Sequence, residues 1–128
     1  MSDKTILIIE DNQQNLYLMR FLLEKSGCVV VEATDGPKGI QTACALRPDL
    51  ILLDIQLPGM DGYAVASELR KNPALETTPI IAVTSYAMVG DRERALSSGA
   101  TDYIEKPINP FTFVDQVCSH FFKADKET

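Results

Sequence analysis

Four short, uninterrupted apolar runs constrain the fold of this chain more than any other feature of its sequence. They occupy residues 6–9, 29–31, 50–53 and 80–83, and each consists only of Ile, Leu, Val or Ala. Runs rich in Ile and Val, without alternating polar residues, are typical of strands that are buried on both faces. A weaker fifth candidate lies at residues 102–104.

Helix-length amphipathic stretches follow these runs. The first begins after Asp11 or Asn12, either of which suits an N-cap, and ends at Ser26-Gly27, where glycine suits a left-handed C-cap. The positions that we expect to share one face of each helix are Leu16, Met19, Leu22 and Leu23; Ile40, Ala43 and Cys44; Val65, Ala66 and Leu69; Met88, Arg92, Ala95 and Leu96; and Val114, Val117, Cys118 and Phe121. Five strand–helix units in sequence predict an α/β fold of three layers, in which helices cover both faces of a five-stranded parallel sheet through right-handed crossovers.

Length and composition restrict the function classes. We expect the 128 residues to form a single domain that spans residues 5–122, with no output domain. Hydrophobic residues make up 45% of the chain, which is enough to form a buried hydrophobic core. The net charge of −6 argues against nucleic acid or an anionic membrane as the main partner. Cys28, Cys44 and Cys118 have apolar neighbours and no metal-like spacing, so we expect reduced core thiols in a cytoplasmic protein without a secretory signal.

Polar residues directly follow four of the five predicted strands. In open α/β sheets the binding crevice lies outside the carboxyl ends of the strands, so these residues are expected to meet at one rim. They are Glu10 and Asp11 after the first strand, Asp54 after the third, Thr84 and Ser85 after the fourth, and Lys106 and Pro107 after the fifth.

Three acids at one rim need a proton or a cation. Two carboxylates about 4 Å apart repel by roughly 4 kcal/mol at an effective dielectric constant near 20, and Lys106 neutralises only one charge. Hard oxygen ligands suit Mg²⁺, which binds through a few carboxylates together with a phosphate. The pattern therefore predicts a phosphoryl-transfer centre. Asp54 is the best candidate for a nucleophile that forms an aspartyl phosphate, and the adjacent Glu10 and Asp11 suit metal ligation.

From Thr5 to Phe122 the chain resembles the CheY-like receiver domain of two-component response regulators. The resemblance rests on the acidic pair Glu10-Asp11, on Asp54 in LLDIQLPGMDG, on Thr84-Ser85 and on Lys106-Pro107. The segment from Ile9 to Asn12, with Asn15, is most similar to receivers of hybrid kinases and to stand-alone DivK-like regulators. The family implies the flavodoxin-like strand order 2-1-3-4-5.

The resemblance also implies roles for individual residues. Asp54 would accept a phosphoryl group from the histidine of a sensor kinase or a histidine phosphotransfer protein, in a reaction that requires Mg²⁺ or Mn²⁺. The implied metal ligands are Glu10, Asp11, Asp54 and the backbone carbonyl of Gln56. Lys106, Thr84 and Ser85 would contact the phosphoryl group, Thr84 and Tyr103 would move on phosphorylation, and the Lys106-Pro107 bond would be cis. Gln56 and Tyr86 occupy positions that vary among receivers.

The family further implies a switch that promotes its own phosphorylation and dephosphorylation but has no separate substrate. Its output surface would comprise the fourth helix, the fifth strand and the fifth helix, and would bind a downstream protein as a monomer or weak dimer. The charged stretch 91–94 fits either a solvated helix face or such a docking surface, and the resemblance favours docking.

Two other functions on the same topology remain as alternatives. A Mg²⁺-dependent phosphohydrolase of the haloacid-dehalogenase kind combines a nucleophilic Asp, a hydroxyl, a lysine and acids, but it needs a second aspartate at the position of Gln56 as a general acid. A nucleotide or flavin binder needs a loop after the first strand that offers amide groups to phosphate, whereas this chain has Glu-Asp-Asn there. Both alternatives are disfavoured.

Overall fold

A computed structural model describes residues 4–85 and 90–127. The strands are β1 (Thr5–Ile9), β2 (Val29–Ala33), β3 (Leu50–Asp54), β4 (Ile80–Thr84) and β5 (Asp102–Glu105). The α-helices are α1 (Gln13–Lys25), α2 (Gly36–Leu46), α3 (Gly62–Arg70), α4 (Asp91–Ser97) and α5 (Phe113–Glu127), and a 3₁₀ turn spans Pro73–Leu75. Tyr86 and Met88, which were named above, lie outside the described residues.

The five strands form one parallel sheet in the order β2-β1-β3-β4-β5. The apolar runs produce this arrangement because their residues alternate between two cores. Ile6 and Ile8 of β1 pack in one core with the apolar faces of α1 and α5, while Leu7 and Ile9 pack in the other with α2 and α3. The predicted α/β class, three layers and strand order are therefore confirmed.

Two residues, Val29 and Cys44, are more exposed than the sequence pattern predicted. Val29 is 51% exposed because β2 forms an edge of the sheet and its first residue reaches past the helices. Cys44 is exposed, so the expectation of three core thiols was wrong at this position, although Cys28 is buried and Cys118 is partly buried. Helix α2 instead faces the sheet through Gly36, Gly39 and Ala43.

Glycine allows this close approach of α2. A Cβ atom at Gly39 would lie 2.5 Å from Cδ1 of Ile9, which is closer than a normal van der Waals contact. Helix α2 can therefore approach β1 this closely only with glycine at this position. Ile40 of the predicted face packs partly buried against the core that contains Ile9, whereas the glycines were missed because glycine carries no hydrophobic signal. Phe113 of α5, which is fully buried, was likewise missing from the predicted face.

The start of α1 resolves the choice between two possible N-caps. The Oδ1 atom of Asn12 accepts a hydrogen bond from the backbone N–H of Asn15 at 2.9 Å, so Asn12 is the N-cap. Asp11 is thereby left outside the helix, at the rim of the sheet and exposed. None of the helices in the described parts of the chain is both long enough and apolar enough to span a membrane.

Candidate functional site

The site lies at the carboxyl ends of four neighbouring strands. Glu10 directly follows β1, Asp54 ends β3, Thr84 ends β4, and Lys106 directly follows β5. Backbone hydrogen bonds extend the pairing past the strand ends, for example from the N–H of Lys106 to the carbonyl of Thr84 at 2.7 Å. The side chains are therefore placed by the rigid sheet rather than by the loops that follow it.

Three carboxyl groups converge at this rim. Glu10, Asp11 and Asp54 each offer one oxygen atom, and these atoms all lie within 4.8 Å of one another. Glu10 is fully buried and Asp54 is 3% exposed, whereas Asp11 is open to solvent. The N–H of Asn12 donates to Oε2 of Glu10 at 3.1 Å, and the N–H of Gln56 donates to Oδ1 of Asp54 at 2.9 Å. Each buried acid is thus oriented by the backbone two residues further along.

Lys106 supplies a positive charge to both buried acids. Its Nζ atom lies 3.0 Å from Oε1 of Glu10 and 3.4 Å from Oδ1 of Asp54, and its side chain is only 11% exposed. The peptide bond between Lys106 and Pro107 is cis, as the resemblance implied. One ammonium group faces three carboxylates, so the cluster keeps an excess of negative charge when all three are ionised.

The protonation of Glu10 reflects this excess. Burial, the largest cause, and the adjacent Asp54 carboxyl together raise the pKa of the Glu10 carboxyl from 4.5 to about 7. The ammonium group of Lys106 and the N–H of Asn12 lower the pKa but do not compensate. Without a cation, the cluster therefore relieves part of its repulsion by holding a proton on Glu10 near neutral pH.

The chemistry of this cluster fits a divalent cation. Among the described residues, Oε1 of Glu10 is a buried side-chain oxygen without a hydrogen bond, and the ammonium group of Lys106 lies 3.0 Å from it. An orphaned buried acceptor next to two further carboxylates is the donor set that Mg²⁺ or Mn²⁺ prefers. The expected acidic ligands are thus brought together.

Thr84 ends β4 and Ser85 follows it, next to the end of β3 that carries Asp54. Thr84 is 1% exposed, and Ser85 is exposed at the start of the next loop. The N–H and hydroxyl of Ser85 donate to Oε1 of Gln56 at 3.0 and 3.3 Å. This link between the loops after β3 and β4 was not predicted, because no spacing in the sequence indicates that residues 29 positions apart will bond.

Tyr103 lies on β5 opposite Ala82 of β4, two residues before the register position of Thr84. It is partly buried and packs against the core that contains α2 and α3. In this structure Tyr103 is therefore a half-buried aromatic residue of an edge strand.

Comparisons with known proteins agree with this geometry. Residues 6–117 match the model of the response regulator receiver domain. The chain is 41% identical, over 94% of its length and 98% of the relative's, to the polar-differentiation response regulator DivK of Brucella anthropi. It is 40% identical, with the same coverage, to DivK of Brucella ovis.

The chain belongs to the response regulator receiver family. Solved structures support the same conclusion. A CheY-like response regulator receiver domain protein from Methanospirillum hungatei superimposes with a TM-score of 0.91 at 30% identity, covering 99% of this chain and 100% of that one. The receiver domain of a sensor histidine kinase from Pseudomonas aeruginosa has a TM-score of 0.87 at 33% identity, covering 94% of this chain and 99% of that one. That receiver was crystallised with a magnesium ion coordinated in its active-site cleft.

Membership of this family makes the chain a DivK-like signalling regulator of the two-component type. A cation held by clustered acids relieves their mutual repulsion. The acids Glu10, Asp11 and Asp54 form the candidate cation site of this receiver.

Proposed function

We propose that this receiver is a phosphoacceptor switch in which Asp54 takes a phosphoryl group from a phosphohistidine of a sensor kinase or phosphotransfer protein. The observation that carries the proposal is the placement of Asp54. It is a nearly buried carboxylate held by Lys106 and by the N–H of Gln56, and it lies against two further acids. The three free thiols fit a cytoplasmic location for this exchange.

The transfer step requires a nucleophile and a leaving group. A carboxylate oxygen of Asp54 attacks phosphorus, the bond between phosphorus and the donor's imidazole nitrogen breaks, and the electron pair returns to that nitrogen. Because the nucleophile is already oriented by Gln56 and Lys106, the protein contributes mainly positioning and charge stabilisation. The chain itself keeps the phosphoryl group, so it acts as a switch without a separate substrate.

The acids would hold the cation that this chemistry needs. Glu10, Asp11 and Asp54 would provide carboxylate oxygens, with the backbone carbonyl of Gln56 as a further ligand. When bound, Mg²⁺ or Mn²⁺ neutralises the negative charge that otherwise keeps a phosphoryl group away. Lys106 already lies between Glu10 and Asp54, and it would turn to the phosphoryl oxygens once the cation takes over its role of neutralising Glu10.

The phosphoryl group would be sensed by Thr84 and Ser85. Thr84 ends β4 and Ser85 follows it, and their hydroxyl groups can donate hydrogen bonds to the oxygens of the phosphoryl group. Movement of Thr84 towards the phosphoryl group would be accompanied by rotation of Tyr103 on the neighbouring strand. The surface formed by α4, β5 and α5 would then change its affinity for a downstream protein.

The proposal is tested by incubating the protein with Mg²⁺ and acetyl phosphate and measuring the mass of the intact chain. We expect the wild-type protein to gain one phosphoryl group, and Asp54→Asn to gain none. Asp115→Asn removes an exposed acid from α5 and serves as the control, since it should be labelled like the wild type. Circular dichroism checks that all three proteins are folded. Equal labelling of Asp54→Asn would refute the assignment of the acceptor.

A further inference from the structure

Helix α4 buries little apolar surface against the rest of the molecule. It has seven residues, and Ala95 is its one buried residue. Its N-cap is Gly90, which makes no side-chain capping hydrogen bond, and Leu96 is 39% exposed. Burial of apolar surface therefore contributes little to fixing the position of this helix, and the polar contacts at its two ends matter correspondingly more.

The carboxyl end of α4 is firmly attached to α3. The guanidinium group of Arg70 donates to the carbonyl of Gly99 at 2.8 Å, and the hydroxyl of Ser67 donates to the carbonyl of Ser98 at 3.3 Å. Arg70 also donates to the carbonyls of Leu75 and Thr78, both at 2.7 Å, and is therefore fixed from several sides. This end of α4 is a suitable pivot.

In the middle of α4, the side chain of Arg94 contacts the start of α3. Its guanidinium carbon lies 4.2 Å from the ring centroid of Tyr63, close enough for a cation–π contact. Its Nη2 atom lies 3.5 Å from Oδ2 of Asp61. Asp61 uses its other oxygen, Oδ1, to accept the N–H of Tyr63 at 2.9 Å as the N-cap of α3. Both partners of Arg94 thus sit at the rigid start of α3.

A cavity lies between these elements and the phosphoacceptor rim. It has a volume of about 560 Å³ and is lined by Ile55, Gln56, Leu57, Asp61, Tyr63, Thr84, Asp91 and Arg94. Thr84 at the rim and Arg94 of α4 therefore line the same space.

We propose that Arg94 is a positioning residue that holds α4 in its resting position. Loss of its contacts with Tyr63 and Asp61 shifts the unphosphorylated protein towards the conformation that phosphorylation stabilises. The proposal rests on the function proposed above, in that it takes α4 as part of the output surface. It adds that the contacts of Arg94 with Tyr63 and Asp61 stabilise the resting position of α4.

The expected size of the shift in the conformational equilibrium follows from the solvent exposure of Arg94 and its partners. The side chains of Arg94 and Asp61 are 62% and 50% exposed, so their ion pair is largely screened by water. The stacking of Arg94 on Tyr63 is the stronger contact, and together the two contacts correspond to roughly a fivefold change in the equilibrium. A much larger change would require buried partners.

Amide hydrogen exchange of the unphosphorylated protein tests the proposal directly. We expect the amides of α4 in Arg94→Ala to exchange roughly fivefold faster than those of the wild type, with β3 and β4 unchanged. Arg92→Ala is the matched control, because Arg92 is exposed on the same helix and its removal alters helix propensity equally. Arg94→Lys should be intermediate, since an ammonium group keeps the charge near Asp61 but lacks the planar face that stacks on Tyr63.

The rate of labelling by acetyl phosphate with Mg²⁺ provides the second readout. We expect Arg94→Ala to be labelled several times faster than Arg92→Ala, because more molecules occupy the reactive conformation. Equal exchange of α4 in the two variants, or faster exchange throughout the sheet in Arg94→Ala, would overturn the proposal. If the wild type is not labelled at all, the proposed function fails, whereas the exchange comparison still decides the role of Arg94.

Discussion

At the scale of single residues, the site is a balance between three carboxyl groups and one ammonium group. Glu10 and Asp54 are buried where a charge is costly, and Lys106 lies close to both. The remaining imbalance can be relieved by a proton or by a cation, and the two compete for the same oxygen atoms. This competition makes cation binding dependent on pH in a range where isolated carboxyl groups do not titrate.

The affinity for Mg²⁺ should therefore fall as the pH is lowered through about 7. Burial and Asp54 raise the pKa of Glu10 to about 7, so below this pH the cation must displace a proton from Glu10, whereas above it the carboxylate is already ionised. We expect the apparent affinity to fall about fivefold between pH 7 and 6 and to change little between pH 8 and 9. Isothermal titration calorimetry measures both ranges.

Glu10→Gln is the control for this prediction. An amide does not titrate, so the variant should bind Mg²⁺ more weakly at pH 8 but show little further loss between pH 7 and 6. If the wild-type affinity were constant from pH 8 to 6, then Glu10 would be ionised throughout and the raised pKa would be wrong.

The acids, the hydroxyl groups and the lysine of the site could be predicted because each follows an apolar run, and the ends of parallel strands meet at one edge. The contacts between loops could not be predicted from the sequence. The bond from Ser85 to Gln56 and the stacking of Arg94 on Tyr63 join residues about thirty positions apart in loops and exposed helix faces. These positions carry no hydrophobic periodicity, so their proximity becomes visible only once the backbone is placed.

At the scale of elements, two glycines let helices approach the sheet closely. A Cβ atom at Gly62, the first residue of α3, would lie 2.4 Å from the Cα of Ile55 and 2.8 Å from the carbonyl oxygen of Asp54. A Cβ atom at Gly39 in α2 would instead meet the side chain of Ile9. The first obstacle is backbone next to Asp54, while the second is a side chain.

Gly62→Ala should therefore destabilise the protein more than Gly39→Ala. Alanine favours a helix by about 1 kcal/mol over glycine, and this gain partly offsets the cost at Gly39. At Gly62 the backbone of β3 would have to shift, and we expect a loss of about 3 kcal/mol or more in the free energy of unfolding. Urea denaturation followed by circular dichroism gives both values, and a smaller loss for Gly62→Ala would contradict the reasoning.

Element types were predicted more successfully than the burial of particular residues. Within residues 4–85 and 90–127, five strands and five α-helices occur where the apolar runs and amphipathic stretches indicated them. The exposure of Val29 and Cys44 was missed because the sequence does not state which strand lies at an edge or how two helices share one face of the sheet. Both depend on strand order, which came from the family resemblance rather than from periodicity.

At the scale of the whole molecule, the folded state gathers charges that the unfolded chain keeps apart. The sequence carries a net charge of −6, and three of its acids meet at one rim. A cation that binds this rim stabilises the folded state only, because the unfolded chain does not bring the three carboxylates together. The free energy of unfolding therefore depends on whether a cation is bound at this rim.

Mg²⁺ should raise the melting temperature of the wild-type protein, by on the order of 10 °C when its concentration is 100 times Kd. Asp11→Asn removes one exposed ligand and part of the repulsion, so it should melt slightly higher than the wild type without Mg²⁺ and gain less from adding it. Asp115→Asn changes the net charge equally but lies on α5, so it should retain the full gain. Differential scanning calorimetry at constant ionic strength separates these cases. Similar gains in all three proteins would mean that Mg²⁺ acts by screening the overall charge, because only a cation bound at the rim distinguishes Asp11 from Asp115.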